Sequence, residues 1–218
     1  MHSMKKYYRS VVVAGCLLAG GFTAAVSAAE PNFNYSAVSI NLVGVSLDDD
    51  ILVRVGTPAE GLVRYDSLSG INLNAAFQAT PNLVIGAGVL RVSDSGFGTE
   101  IRQDELAIGL GYAAPVGPST DLIVSGDVIQ ITAEVCNRFG CVDASDTGIG
   151  AAVGVRHWAT RHIEINGSIG YASFSDFGSS SSLGVGGAFW FNDNSSVGLA
   201  FNFASDATVA FLGYRFAF

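Results

Sequence analysis

The segment from Cys136 to Cys141, Cys-Asn-Arg-Phe-Gly-Cys, holds two closely spaced cysteines. In an exported protein such a pair favours a small loop disulfide over two free thiols. A zinc site is disfavoured because no histidine or further cysteine lies nearby and zinc takes four ligands. Gly140 permits the tight turn that so small a ring needs. We therefore expect a local disulfide that presents Arg138 and Phe139 at a loop tip.

Five charged residues interrupt segments that otherwise alternate apolar residues with small ones. They are Glu105, Asp127, Arg156, Glu164 and Arg215, and each lies on the small or polar face of its segment. Because an unpaired charge is costly in a narrow interior, we expect the acids and arginines to pair. One interpretation is a salt-bridged plug, and the other is a charged constriction in a narrow pore. Both depend on strand register, since a shift of one residue reverses every face.

Catalytic chemistry has little support in the sequence. His157 and His162 flank a predicted turn, and no serine–acid arrangement can be placed beside them. The glycine patterns over residues 148–154 and 184–187 lack the strand–turn–helix context of a nucleotide-binding loop. Alternate glycines instead leave room inside a narrow barrel. The sequence predicts no catalytic residue, no metal site and no cofactor.

The N-terminal region has the pattern of an export signal. A basic start, Lys5 to Arg9, precedes an almost entirely apolar stretch over residues 11–26, which ends in small residues. This pattern predicts a cleaved signal peptide over residues 1–29 and a mature domain over residues 30–218. Lipidation at Cys16 is the alternative, but the apolar stretch before it is short and continues past it.

Charge and composition narrow the class of the protein. Both lysines lie in the predicted leader, so the mature chain has eight arginines against nineteen acidic residues, a formal charge of −11. Such a chain lacks the basic face that nucleic-acid binding needs. The whole sequence is 49% hydrophobic with 27 glycines, yet beyond the leader no apolar run approaches the ~20 residues of a membrane helix. A soluble β-sandwich or a membrane β-barrel remains.

Alternation along the mature chain favours the barrel. Segments of about ten residues, such as 163–171 and 197–203, alternate apolar residues with small or polar ones, as strands with two different faces do. Short turn-rich joints alternate with longer polar stretches, such as 93–102 and 136–146. We predict an all-β fold, a transmembrane antiparallel up-and-down barrel of ten strands with both termini periplasmic. Eight strands is the alternative if weak segments such as 121–135 are misassigned.

Aromatic residues mark the predicted periplasmic side. Tyr214, Phe216 and Phe218 occupy alternate positions at the C-terminus, a pattern that resembles the outer-membrane assembly signal. Other large aromatics close the descending strands or open the first ascending one, and we assign them to an interfacial girdle. These are Phe77, Tyr112, Trp158, Trp190 with Phe191, and Phe33 with Tyr35.

Several short motifs carry a family resemblance over essentially the whole mature chain. They lie at residues 33–35, 109–112, 115, 119–122, 154–156 and 213–216. With them the sequence resembles small bacterial outer-membrane β-barrel proteins, which include opacity-type proteins and the transmembrane domain of OmpA, and is most similar to short barrels of xanthomonads. The resemblance implies the fold and says little about function.

The expected function is therefore stated coarsely. A multi-pass protein of the Gram-negative outer membrane would contact lipid, lipopolysaccharide and the barrel assembly machinery. Its outer loops would contact the environment of the cell. The leading hypothesis is a structural or surface-interaction role for a monomer with an unidentified surface ligand. The rival is a narrow passive channel for ions or small solutes.

Overall fold

The computed structural model describes residues 32–54 and 62–218. The predicted signal peptide over residues 1–29 lies outside the described residues. Within the described ranges, no helix is long and apolar enough to cross a membrane.

Within these ranges, ten antiparallel strands form a closed barrel, as predicted. Each strand pairs with its neighbours in sequence, and β1 closes the ring by pairing with β10. The weak segment 121–135 forms most of β5, so the eight-strand alternative is excluded. The strands are β1 (Ala37–Arg54), β2 (Leu62–Gln78), β3 (Leu83–Gly96), β4 (Thr99–Gly117), β5 (Thr120–Asn137), β6 (Gly140–Trp158), β7 (Ile163–Phe174), β8 (Gly178–Asn192), β9 (Ser195–Ala204) and β10 (Ala207–Ala217).

The two faces of the wall differ because successive side chains of a strand point to opposite sides. The outward face carries a belt of exposed apolar side chains, including Leu42, Leu110, Ile149 and Leu212. In water such a continuous apolar surface would be strongly unfavourable, and hydrocarbon is the solvent that suits it.

The ends of the barrel are unlike each other. Both described chain termini lie at one end, called here the turn end, where β4 and β5 are joined by only two residues. The opposite end is called here the loop end. The prediction of long loops over residues 93–102 and 136–146 at this end is wrong. Both stretches are paired strand, joined by two-residue turns at 97–98 and 138–139. Backbone pairing continues above the apolar belt, where no hydrocarbon enforces alternation, so the sequence pattern fades while the strands persist.

The interior is filled at both ends. Near the loop end, inward side chains of β1, β2, β3 and β4 form an apolar cluster that includes Val45, Tyr65, Leu90 and Ile101. Near the turn end, Phe33, Tyr35, Ile123 and neighbouring residues form a second cluster. Between them lies a cavity of about 270 Å³ that polar and apolar residues line together.

Candidate functional site in the lumen and at the loop end

Two of the five predicted lumen charges form a buried ion pair. Arg156 Nε and Nη2 donate to the two carboxylate oxygens of Glu164 at 2.9 and 2.8 Å. The side chains are only 6% and 3% exposed, and Trp190 Nε1 donates a further hydrogen bond to Glu164. Such bidentate geometry is the strong form of an arginine–carboxylate contact. The pair lies at the turn end, where it joins β6 to β7.

Aromatic rings surround this pair, and four of the residues assigned to the girdle are found here instead. The guanidinium of Arg156 lies 4.3 Å from the ring centre of Phe33 and 4.9 Å from that of Tyr35. Trp158 stacks on Phe33, and Trp190 is buried. The girdle assignment of Phe33, Tyr35, Trp158 and Trp190 is therefore wrong. The reason is strand parity: Trp158 shares the inward face with Arg156, and indole N–H groups find acceptors there.

Residues 32–36, called here the strap, cross the mouth of the barrel at the turn end. The strap precedes β1, yet Asn32 bonds to the β4–β5 turn on the far wall. The backbone N–H of Asn32 donates to Asp121 at 3.0 Å, and its amide donates to the carbonyls of Gly117 and Thr120. Tyr35 Oη donates to the same carboxylate at 3.0 Å. Asp121 is fully buried and so clamps the strap across the opening, a feature that strand alternation alone does not reveal.

Arg215 faces the lumen beside this cluster but has no carboxylate partner of its own among the described residues. Its guanidinium lies 5.6 Å from the ring centre of Trp190, and Nη2 donates to the carbonyl of Asn34 at 3.4 Å. Glu164, the acid that interacts with it through space, is already engaged by Arg156.

Glu105 and Asp127 lie on β4 and β5, nearer the loop end than Arg156, and form no ion pair with the arginines of the described ranges. Both are buried, and in the described part of the chain none of their carboxylate oxygens has a hydrogen-bond partner. Asp127 lies over Gly150, on the neighbouring strand. The structure thus joins Arg156, Glu164 and Arg215 at one site and leaves the other two predicted lumen charges outside it.

The C-terminal residues of the predicted assembly signal lie on the outer surface. Tyr214, Phe216 and Phe218 project outward from the end of β10 and are 43%, 42% and 57% exposed. The backbone N–H of Phe218 donates to Ser36, which ties the end of the chain to the strap.

Cys136 and Cys141 form a disulfide at the loop end. They are directly opposite each other in the β5–β6 ladder, one ladder pair before the two-residue turn that joins the strands. Their sulfurs and Glu134 are the only group of possible metal ligands in the described ranges. Sulfurs bonded to each other offer no thiolate ligands, however. The turn presents Phe139, which is 69% exposed, under the guanidinium of Arg138 at 4.7 Å.

A second exposed aromatic lies at the neighbouring tip and was not foreseen. Phe97 is 91% exposed and has a φ of 49°, followed by Gly98 with a φ of 75°. A two-residue hairpin turn with two positive φ values suits Asn-Gly or Gly-Gly, and an aromatic residue is strained there. Thr99 pairs with Asn137, so the two tips lie at one height. The signal in the sequence was the Gly-Phe-Gly triplet.

His157 and His162 lie at the turn end, as their sequence context suggested. His157 Nδ1 is 2.8 Å from the hydroxyl of Thr120, and His162 Nδ1 is 3.1 Å from the carbonyl oxygen of Trp190. Each ring therefore contacts an adjoining strand end.

Comparison with known proteins gives one family and many distant structures. The family described as outer membrane protein beta-barrel domain matches residues 14–216, and no curated protein sequence matches the chain. Among solved structures, the NanC porin has a TM-score of 0.51 at 5% identity, covering 83% of this chain and 100% of its own. The attachment invasion locus protein Ail of Yersinia pestis has a TM-score of 0.44 at 12% identity, covering 84% and 99%. The outer membrane protease OmpT of Escherichia coli has 0.45 at 10%, covering 88% and 99%. Likeness at these identities concerns the fold alone.

Proposed function

Because the chain belongs to the outer membrane protein beta-barrel domain family and is a Gram-negative outer-membrane protein that crosses the membrane by its strands, we propose that it acts through surface contacts made by its loop end. The turn end, with the strap and both termini, faces the periplasm in this proposal. The loop end then faces the environment.

The projecting hairpins are the observation that carries the proposal. On β6 the continuous run of outward apolar residues ends at Ile149, and the strand continues to Gly140 at the tip, with Val142 as a separate exposed apolar residue. At about 3.3 Å per residue the ladder extends roughly 30 Å along the strand beyond the apolar belt. A barrel that needed only to span a membrane would not require this paired extension over β3 to β6.

The chemistry of the tips indicates the kind of surface they contact. Phe97 and Phe139 expose their rings at adjacent tips of a wall that is paired to its end. Rigidly held aromatic rings lose little conformational entropy on binding and are enriched in contact sites. The proposal therefore names an apolar patch on a partner surface as the target.

Retention of whole cells on octyl-coated beads tests this proposal. Cells that display the protein with Phe97→Asn and Phe139→Ser should be retained several-fold less than cells displaying the unchanged protein. Asn is the matched replacement at position 97 because it tolerates positive φ, so the turn should be stabilised by about 1 kcal/mol while binding falls. Val116→Ser, which removes an apolar residue at the turn end that is 60% exposed, should leave retention unchanged. Equal retention of all three proteins would refute a contact role for the tips.

A narrow channel is the second candidate, and the cavity in the lumen, with charged and amide side chains in its wall, is the observation that favours it. The strap at one end and the apolar cluster at the other argue for a closed resting interior. Planar-bilayer recording of the refolded protein separates the two functions. A steady unitary conductance would favour the channel, and a silent bilayer would favour the surface role.

A further inference from the structure

We propose that the lumen cavity binds a small molecule carrying one anionic group and several hydroxyl groups. The cavity lies between the strap and the apolar cluster of the loop end, against β7 to β10, β1 and β2. Its volume of about 270 Å³ is close to the lower limit for small-molecule sites, about 300 Å³. Glu105 and Asp127 are not among the residues that line it.

Five asparagines contribute uncharged amide groups to the cavity wall. Asn41 Nδ2 donates to Asn72 Oδ1 at 2.8 Å, and Asn74 Nδ2 donates to the same oxygen. Asn166 and Asn202 line the cavity from β7 and β9. Amide groups both donate and accept, which suits hydroxyl groups that do the same.

One of these amides has an unused acceptor. Asn202 is 5% exposed, and its Oδ1 has no hydrogen-bond partner in the described ranges. A buried acceptor without a donor is unfavourable, so a ligand hydroxyl or an ordered water is expected against it.

Glycines on the adjacent strands keep the space open. The side chain of Asn41 lies over Gly213, so any Cβ there would clash with its Oδ1. A Cβ at Gly186 would come within 2.9 Å of Asn166 Oδ1, and one at Gly184 within 2.5 Å of Ser168 Oγ. The polar side chains therefore lie flat along the wall and leave the centre of this part of the lumen empty of protein atoms.

Arg215 supplies the positive charge. It lines the cavity, and among the described residues no acid forms an ion pair with it, because Glu164 is paired with Arg156. Among the residues that line the cavity, two guanidinium groups stand against one carboxylate, while Asp121, which faces Arg156 across the β5–β6 ladder, is bonded to the strap and does not line it. A guanidinium binds carboxylate or phosphate oxygens through parallel hydrogen bonds, so the anionic group of the ligand is placed at Arg215 and its hydroxyls at the asparagines.

Titration of the refolded full chain with gluconate, glucose and acetate tests the inference. Gluconate carries both features, glucose lacks the charge, and acetate lacks the hydroxyls. Calorimetry should show saturable binding of gluconate, with glucose and acetate at least about tenfold weaker. Trp190, beside Arg215, should report the same event by a change in fluorescence.

Two variants and a control locate the site. Arg215→Gln should weaken gluconate binding about tenfold or more, whereas Arg161→Gln, at an exposed position in the β6–β7 turn, should not change it. Asn202→Leu should weaken gluconate and leave acetate unchanged. Arg215→Lys, which keeps the charge, should retain part of the affinity for gluconate. It replaces Arg215→Gln in this test if the Gln variant does not fold. Failure of the folded protein to bind gluconate, equal binding of glucose, or unchanged affinity in Arg215→Gln would overturn the proposal.

Discussion

Removal of the Glu164 carboxylate is the sharpest single test of how the lumen is stabilised. In Glu164→Gln, Arg156 remains buried without its ion-pair partner, and Arg215 loses the one carboxylate of the described ranges that interacts with it through space. Breaking one partner of a buried pair typically costs about 3–5 kcal/mol. We expect a loss of that order in the free energy of unfolding.

A double-mutant cycle with Arg156→Gln isolates the interaction itself. The coupling energy should exceed about 2 kcal/mol, because both side chains are buried and bidentate. Arg91 and Asp104 provide a matched control on the outer surface, where the side chains are 68% and 30% exposed. Their coupling should stay below about 1 kcal/mol.

Urea unfolding in detergent or lipid vesicles, followed by tryptophan fluorescence, measures all of these energies. The chain has only two tryptophans, and both lie beside the pair. Equal coupling energies for the buried and exposed pairs would refute the argument from burial.

Three further changes have distinct expected outcomes. Phe218→Ser should reduce outer-membrane levels because it removes the terminal aromatic of the assembly pattern, while Phe191→Ser, an outward aromatic at the same end, should not. Cys136→Ser should cost at most about 2 kcal/mol of unfolding free energy, since the ring is small. Unboiled protein of this variant should still migrate differently from boiled protein on a detergent gel, as a closed barrel does; loss of that difference would contradict the local role. Burial opposes ionisation of Asp146, yet amide hydrogen bonds from Asp176, Phe177 and Thr147 hold its pKa below the ordinary 3.8. The carboxylate should therefore stabilise the β7–β8 turn at all pH values above about 4 and lose that contribution as pH falls through its lowered pKa. Hydrogen exchange at the Phe177 amide should become faster as the contribution is lost. Unchanged exchange in Asp146→Asn at neutral pH would argue against a stabilising role of the carboxylate.

The strands on one side of the barrel are longer than those on the other side. β4 and β6 each have 19 residues, whereas β9 has 10 and β10 has 11. One side of the barrel therefore rises well above the apolar belt and the other ends close to it. The exposed tips at Phe97 and Phe139 lie on the tall side.

The fold class and the facing of most strands could be predicted from the sequence alone. A barrel wall has hydrocarbon on one side and a narrow interior on the other, so residues such as Leu199 and Gly198 must alternate along each strand. The same two-residue period placed Glu105, Asp127, Arg156, Glu164 and Arg215 on the inward face. Close spacing of the cysteines was sufficient to predict their bridge.

Which inward groups meet was decided only by the tertiary structure. Strand parity gives a side but no position around the ring, so it could not separate Arg156 and Glu164, which pair, from Glu105 and Asp127, which do not. The strap depends on Asn32 reaching Asp121, 89 residues along the chain, and no local pattern encodes such a contact. The height of the hairpins could not be predicted from the sequence for a related reason. Above the apolar belt both faces of a strand meet water, so strand pairing continues without the alternation of apolar and polar residues from which strands are predicted.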